Sequence, residues 1–314
     1  MKDFKIGFIG LGNVGEKLSK NLIKNNLKLN INDKNKNTYL NFKNHNVYIC
    51  SSLQDLTERS NIIITCLPSP KIINKVIKTI LPYINKSHIW IEMSTTDKDE
   101  MIKLSKLLIN KGAKVLESPI TGGEHNAKSG NISILTAGDK KIFNKVFPIL
   151  ANIGYKILYC GKIGNASTLK IITNYLASLN LFGIGEALAV AKKNNIDLGL
   201  TYNAIKISSG NSFVNETETQ VILSGSYDVG FTMDLANKDI NLFNKLANKH
   251  KIPIDLAKIL NKKIKMGMKI LGSRSFSTSI VKLIERKSKI KMRAKNFPKY
   301  LIDNRPKQKG IEIK

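Results

Sequence analysis

Residues 5–9 form a short apolar run that leads straight into Gly10-Leu11-Gly12-Asn13-Val14-Gly15, and a helical pattern follows from 16 to 24. Few sequence features constrain a fold so tightly. The first glycine permits a tight turn, the second lets backbone approach a pyrophosphate, and the third lets helix and strand pack closely. The helix N-terminus then faces the phosphates, where its unpaired N–H groups and dipole favour an anion. Asp33 stands 18 residues beyond Gly15, at the end of a second strand pattern, where a carboxylate can grip the adenosine ribose. Its charge repels a 2′-phosphate and so favours NAD, while Lys34 beside it keeps NADP open.

The pattern around this turn extends over the first half of the chain. Strand candidates at 5–9, 28–32, 47–50, 62–67, 88–92, 114–117, 132–137 and 156–160 alternate with helical patterns at 16–24, 71–80, 97–110 and 140–150. That alternation predicts an α/β fold with a Rossmann-type parallel sheet. After Gly161 the period changes. Leu169, Ile172, Leu176, Leu179 and Leu188 recur at helical spacing, and helices are expected at 199–207, 211–223, 234–250, 254–268 and 277–285. The chain therefore reads as a dinucleotide-binding domain over 1–163 and an all-α domain over 164–295, opened by a long interdomain helix. A basic tail over 296–314 is expected to be loosely ordered. A length of 314 residues suits two cores better than one.

Composition removes several function classes. The most membrane-like stretch, 175–191, carries Asn180 and Glu186, as a buried core helix would and a span would not. Cys50, Cys66 and Cys160 have no metal-ligand spacing, so no metal is expected; they read as small core residues of a reducing, cytoplasmic compartment. The formal charge of +28 raises the question of nucleic acid. The lysines, however, are scattered and mixed with asparagine. The densest basic stretch, from Arg286 to Lys299, offers only Phe297 and Tyr300 for stacking. A nucleic-acid partner is not expected, whereas the field suits a small anionic substrate.

Two further segments bear on chemistry. Cofactor and substrate gather at the C-terminal ends of the strands in an open α/β sheet. Leu67 and Pro68 stand at the C-terminal end of one strand there and Thr95 past another, so these three join the expected cofactor contacts, although each alone is equally an ordinary turn residue. Glu117-Ser118-Pro119-Ile120-Thr121-Gly122-Gly123 ends a later strand, and its Thr121, Gly122 and Gly123 offer a hydroxyl and exposed N–H donors suited to a carboxylate. In Gly164-Asn165-Ala166-Ser167-Thr168-Leu169-Lys170-Ile171-Ile172-Thr173-Asn174, Lys170 and Asn174 lie four apart and share one helix face. A lysine can accept the proton of an alcohol that loses hydride, and an amide can orient the hydroxyl. Taken alone, Lys170 is equally one of many solvated lysines.

These segments, in this order, resemble the β-hydroxyacid dehydrogenase family, the relatives of 3-hydroxyisobutyrate dehydrogenase and tartronate semialdehyde reductase. The resemblance runs from about Phe4 to Glu285. It implies that Gly7–Gly15 is the cofactor loop, that Ser118–Gly123 is the substrate loop with Thr121 where a serine is usual, and that Lys170 and Asn174 are the catalytic pair. Gly230-Phe231-Thr232-Met233-Asp234-Leu235-Ala236-Asn237-Lys238-Asp239 is similar to a later motif whose lysine, here Lys238, reaches nicotinamide and substrate. Ala166 and Thr173 depart from the usual glycine and asparagine. The implied activity is hydride transfer between NAD(P) and the alcohol of a small β-hydroxyacid by a homodimer or homotetramer. The alternatives are an NADPH-dependent semialdehyde or imine reductase, and a non-catalytic dinucleotide-binding scaffold.

Overall fold

The computed structural model describes residues 4–313. Contacts divide the chain into two compact units, residues 4–170 with 303–313, and residues 171–302.

The first unit is built on strands β1 (Ile6–Ile9), β2 (Leu29–Asn32), β3 (Val47–Ile49), β4 (Ile62–Thr65), β5 (Ile89–Glu92), β6 (Lys114–Glu117), β7 (Ile120–Thr121), β8 (Ile132–Gly138), β9 (Gly154–Tyr159) and β10 (Ile311–Ile313). They lie in the order β10-β9-β8-β6-β5-β4-β1-β2-β3, with β7 beside β8. Its helices are α1 (Asn13–Lys24), α2 (Leu53–Glu58), α3 (Pro70–Ile80), α4 (Lys98–Asn110), α5 (Gly123–Ser129) and α6 (Lys140–Ile153). Strand composition explains the layering. Ile62, Ile64, Ile89 and Ile91 pack on one face with Leu18 and Leu22 of α1 and Phe143 and Val146 of α6. Ile63 and Trp90 point the other way, onto Ile73 and Ile77 of α3 and Met101 and Leu104 of α4. Strands buried on both faces read as continuous apolar runs, as β4 does.

The expected parallel-dominated sheet is present, and two details differ from expectation. β8 runs antiparallel to β6 and to β7, although β9 then pairs with it in parallel. Pro119 ends β6 and the chain returns through β7 and the seven-residue α5, a link that permits reversal without a full crossover. The end of the chain is also not a loose tail. Residues 303–313 lie on the first unit, where β10 pairs in parallel with β9.

The long helix α7 spans Asn165–Lys193, and by contacts its first residues, up to Lys170, group with the first unit. The second unit continues through α8 (Leu198–Lys206), α9 (Phe213–Glu216), α10 (Glu218–Ser224), α11 (Met233–Lys249), α12 (Asp255–Leu271) and α13 (Lys282–Ser288). The single helix expected over 211–223 is two, α9 and α10, divided at Thr217, whose backbone is distorted to φ −116° and ψ −72°. The core of this unit gathers Leu181, Leu188, Tyr202, Ile222, Tyr227, Ile280 and Met292. Among the described residues, no helix is long and apolar enough to cross a membrane.

Candidate active site

The glycine turn follows β1 at the point where successive strands depart in opposite directions, β2 on one side and β4 on the other. In an open α/β sheet the crevice at such a switch point holds the ligand. Gly10 has φ +97°, and a Cβ there would lie 2.3 Å from the Cys66 carbonyl oxygen after β4. At Gly15 a Cβ would meet the Gly10 carbonyl oxygen at 2.0 Å. Gly12 is the opposite case: it is exposed, and a Cβ would find no protein atom within 4 Å. Gly12 also begins α1 with no side-chain cap. An open glycine before an uncapped helix N-terminus fits a pyrophosphate, whose oxygens accept from the free N–H groups.

Asp33 stands beside this turn. Its Oδ2 accepts from the Leu11 N–H at 2.6 Å and its Oδ1 from the Asn35 N–H at 2.7 Å. The carboxylate thus holds the loop in shape and keeps further lone pairs for ribose hydroxyls. Across the crevice the Leu67 N–H donates to Ser94 Oγ at 2.7 Å, tying the loop after β4 to the one after β5. Pro68 is exposed and Thr95 half-buried, both in those loops. The residues present therefore fit a dinucleotide.

Thr121, Gly122 and Gly123, the residues expected to meet the substrate, lead from β7 into α5. Glu124 pairs with Lys17 Nζ at 2.7 Å and accepts from the Asn13 side chain, so the turn Thr121-Gly122-Gly123 is braced against α1. The next strand end holds a residue whose role spacing could not reveal. Glu117 at the end of β6 is fully buried and accepts from Gly164 N at 2.5 Å, Ala166 N at 3.0 Å, Ser167 N at 3.1 Å and the Ser167 hydroxyl. It satisfies the orphan donors at the start of α7 from 47 to 50 positions away. Burial holds the Glu117 carboxyl above the ordinary range, and the Ser167 hydroxyl and the three N–H donors offset only part of that rise. Just past this anchored turn sits Lys170, only 7% exposed, which removes the solvated-lysine reading.

In the second unit Asn174 Nδ2 donates to Asp239 Oδ2 at 2.6 Å, and Lys238 Nζ lies 3.1 Å from Asp239 Oδ1. A carboxylate can only accept, so Asp239 fixes which end of the Asn174 amide faces it. The sequence motif named Lys238 and passed over its neighbour, which is the buried hub of the pair at 2% exposure. Basic residues near the chain end are partly engaged internally: Arg293 with Glu285 at 2.9 Å and Arg305 with Asp303 at 2.7 Å. Among the described residues, no group of three or more His, Cys, Asp or Glu could hold a metal ion.

A doubly wound sheet with an open glycine turn at its switch point is that of a dinucleotide-binding protein. Comparison with known proteins gives the family. Residues 5–161 match the model described as the NAD binding domain of 6-phosphogluconate dehydrogenase, and residues 164–284 match the one described as NAD-binding of NADP-dependent 3-hydroxyisobutyrate dehydrogenase. The 2-(hydroxymethyl)glutarate dehydrogenase of Eubacterium barkeri is 27% identical over 289 residues, 91% of this chain and 96% of that protein. The mitochondrial 3-hydroxyisobutyrate dehydrogenase of Rattus norvegicus is 31% identical over 271 residues, 83% and 81% respectively. The solved 3-hydroxyisobutyrate dehydrogenase of Mycobacterium tuberculosis with L-serine shares the fold at a TM-score of 0.82, with 20% identity, over 90% of this chain and 99% of that one. The chain belongs to the β-hydroxyacid dehydrogenase family. It is an NAD(P)-dependent oxidoreductase.

Proposed function

We propose that the protein oxidises the alcohol of a short β-hydroxyacid to the aldehyde or ketone, with NAD as its preferred acceptor. The observation that carries this reading is the burial of Lys170 just past the helix start that Glu117 anchors. Gly10, Leu11, Gly12, Asn13, Val14 and Gly15 seat the pyrophosphate, Asp33 receives the ribose hydroxyls, and Leu67, Pro68 and Thr95 line the crevice beyond. When bound, the nicotinamide supplies the acceptor for the hydride that leaves the carbinol carbon. Thr121, Gly122 and Gly123 hold the substrate carboxylate, Asn174 orients the hydroxyl, and Lys238 adds a cation for substrate and cofactor. Lys170 Nζ accepts the hydroxyl proton during oxidation and returns it during reduction.

The experiment is a panel of short β-hydroxyacids offered with NAD and with NADP, read as reduced cofactor formed. Turnover of at least one acid, faster with NAD, is expected; no turnover on any acid with either cofactor contradicts the reading. Asp33→Ala should narrow the NAD preference, and an unchanged preference would remove Asp33 from the ribose site.

A second reading is favoured by the 25% identity with glyoxylate/succinic semialdehyde reductase 1 of Arabidopsis thaliana over 88% of this chain. It is NADPH-dependent reduction of a short semialdehyde at the same residues, and faster NADPH oxidation than NAD reduction would select it. Assembly as a homodimer or homotetramer through the helical unit belongs to this proposal, supported by the exposed apolar residues Leu256, Ile259, Met266 and Ile270 along α12. A cytoplasmic setting accompanies it.

A further inference from the structure

The last residues of the chain make contacts that the function described so far does not use. The family match ends at 284. The segment 303–313 thus lies past the matched region, yet it is tightly bonded to the first unit. Its path is set by packing as well as by strand pairing. A Cβ on Gly310 would lie 2.4 Å from the Ala151 Cα of α6, so only glycine lets the backbone settle there before β10 joins β9. Lys307 Nζ donates to the Asn152 carbonyl at 3.0 Å, near the C-terminal end of α6, where a cation suits the helix dipole.

The rest of this strap grips α5. Asp303 Oδ2 accepts from Ser129 Oγ at 2.7 Å and from Asn131 Nδ2 at 2.8 Å. Arg305 Nη2 donates to Asn126 Oδ1 at 3.1 Å, and the Gln308 N–H donates to Asn131 Oδ1 at 2.8 Å. Arg305 Nε in turn donates to Asp303 Oδ1 at 2.7 Å, which locks the two strap residues together. On its other side α5 is held by α1: Asn21 Nδ2 donates to the Ala127 carbonyl at 2.7 Å, and Glu124 binds Lys17. A seven-residue helix has no stability of its own, so these two sets of bonds fix where it points. Its first residues continue the turn Thr121-Gly122-Gly123.

We propose that Asp303 is a positioning residue for that turn: through Ser129 and Asn131 the C-terminal strap sets the α5 orientation and thereby the affinity for the substrate carboxylate. The proposal rests on the assignment of Thr121–Gly123 to the substrate. A displacement near 1 Å at a binding group can cost up to about 10²-fold, so a partial release of α5 is large enough to read.

The test uses the full chain with Asp303→Ala, and Ser129→Ala as a milder variant should the first fail to fold. Three quantities are compared with wild type: KM for the hydroxyacid with kcat, the NAD dissociation constant, and backbone hydrogen exchange over 121–130 against 233–249. Asp303→Ala should raise KM for the hydroxyacid about tenfold, with kcat and NAD affinity within about twofold. Exchange should accelerate over 121–130 alone, and Ser129→Ala should shift both readings by about two- to threefold. Unchanged KM with unchanged exchange over 121–130 overturns the proposal, as does a uniform acceleration in both segments, which marks a general loss of stability. Should wild type oxidise no hydroxyacid, the functional reading fails separately, and local exchange over 121–130 still decides whether the strap holds the turn.

Discussion

The two units use buried polar groups in opposite ways. In the sheet unit buried carboxylates hold backbone N–H groups: Glu117 ties a strand end to the start of α7, and Glu92 accepts from Ser94 N at 2.6 Å as well as from Thr65 Oγ1 at 2.5 Å. In the helical unit they hold side chains: Asp239 of α11 accepts from the Asn174 amide, and Asn261 of α12 donates to Asn241 at 2.8 Å. The first pattern fixes backbone and so places loops. The second fixes amide and ammonium groups and so orients side chains. A dehydrogenase needs both, because hydride transfer tolerates little error in either.

The contrast is tested first at the glycine turn. Gly15→Ala puts a Cβ 2.0 Å from backbone, so more than about 4 kcal/mol of stability should be lost together with NAD binding. Gly12→Ala meets no protein atom, so its Tm should stay at the wild-type value while the NAD dissociation constant rises about tenfold or more. Equal loss of stability in both variants would erase the distinction between packing and ligand glycines. Glu117→Gln comes next. The amide turns an NH2 toward donors that need an acceptor, so kcat should fall about 10²-fold by displacement of the α7 start, with NAD affinity retained. Asp239→Asn frees the Asn174 amide to rotate, and a smaller loss, about tenfold in kcat/KM at unchanged stability, is expected. A larger effect than that of Glu117→Gln would reverse the comparison.

The smallest effect is a pH dependence. Burial opposes ionisation of Asp303, but Arg305, Ser129 and Asn131 prevail and hold its carboxyl below the usual carboxylate range. Its stabilising contribution is therefore present above the unfolded value of about 3.9 and disappears as pH falls through the lower folded value. The Tm gap between wild type and Asp303→Asn should be a few degrees at neutral pH and should narrow steadily as pH falls below the unfolded value of about 3.9 toward the lower folded one. A gap independent of pH would show that the charge of Asp303 contributes nothing.

Much of the sheet unit was legible because its code is local. The turn Gly10–Gly15 and the β-branched strands each act within a few positions. Lys170 and Asn174 could be paired from spacing, but the burial that separates Lys170 from dozens of other lysines belongs to tertiary packing. Glu117 read only as the end of a strand, since its partners lie about 50 positions on. The three-residue β10 carries no periodic signal, and its partner strand ends at Tyr159, so the charge-rich end looked loose. Helix over 211–223 followed from apolar spacing, and only the Thr217 backbone breaks it.

The most direct measurement of the central claim is single-turnover NADH formation by Lys170→Ala on the best hydroxyacid, with NAD binding measured on the same sample. Proton acceptance at Lys170 predicts a rate lower by about 10²–10⁴-fold with the NAD dissociation constant unchanged. A variant that keeps more than about half of the wild-type rate would contradict it, because a group that accepts the reacting proton cannot be dispensable.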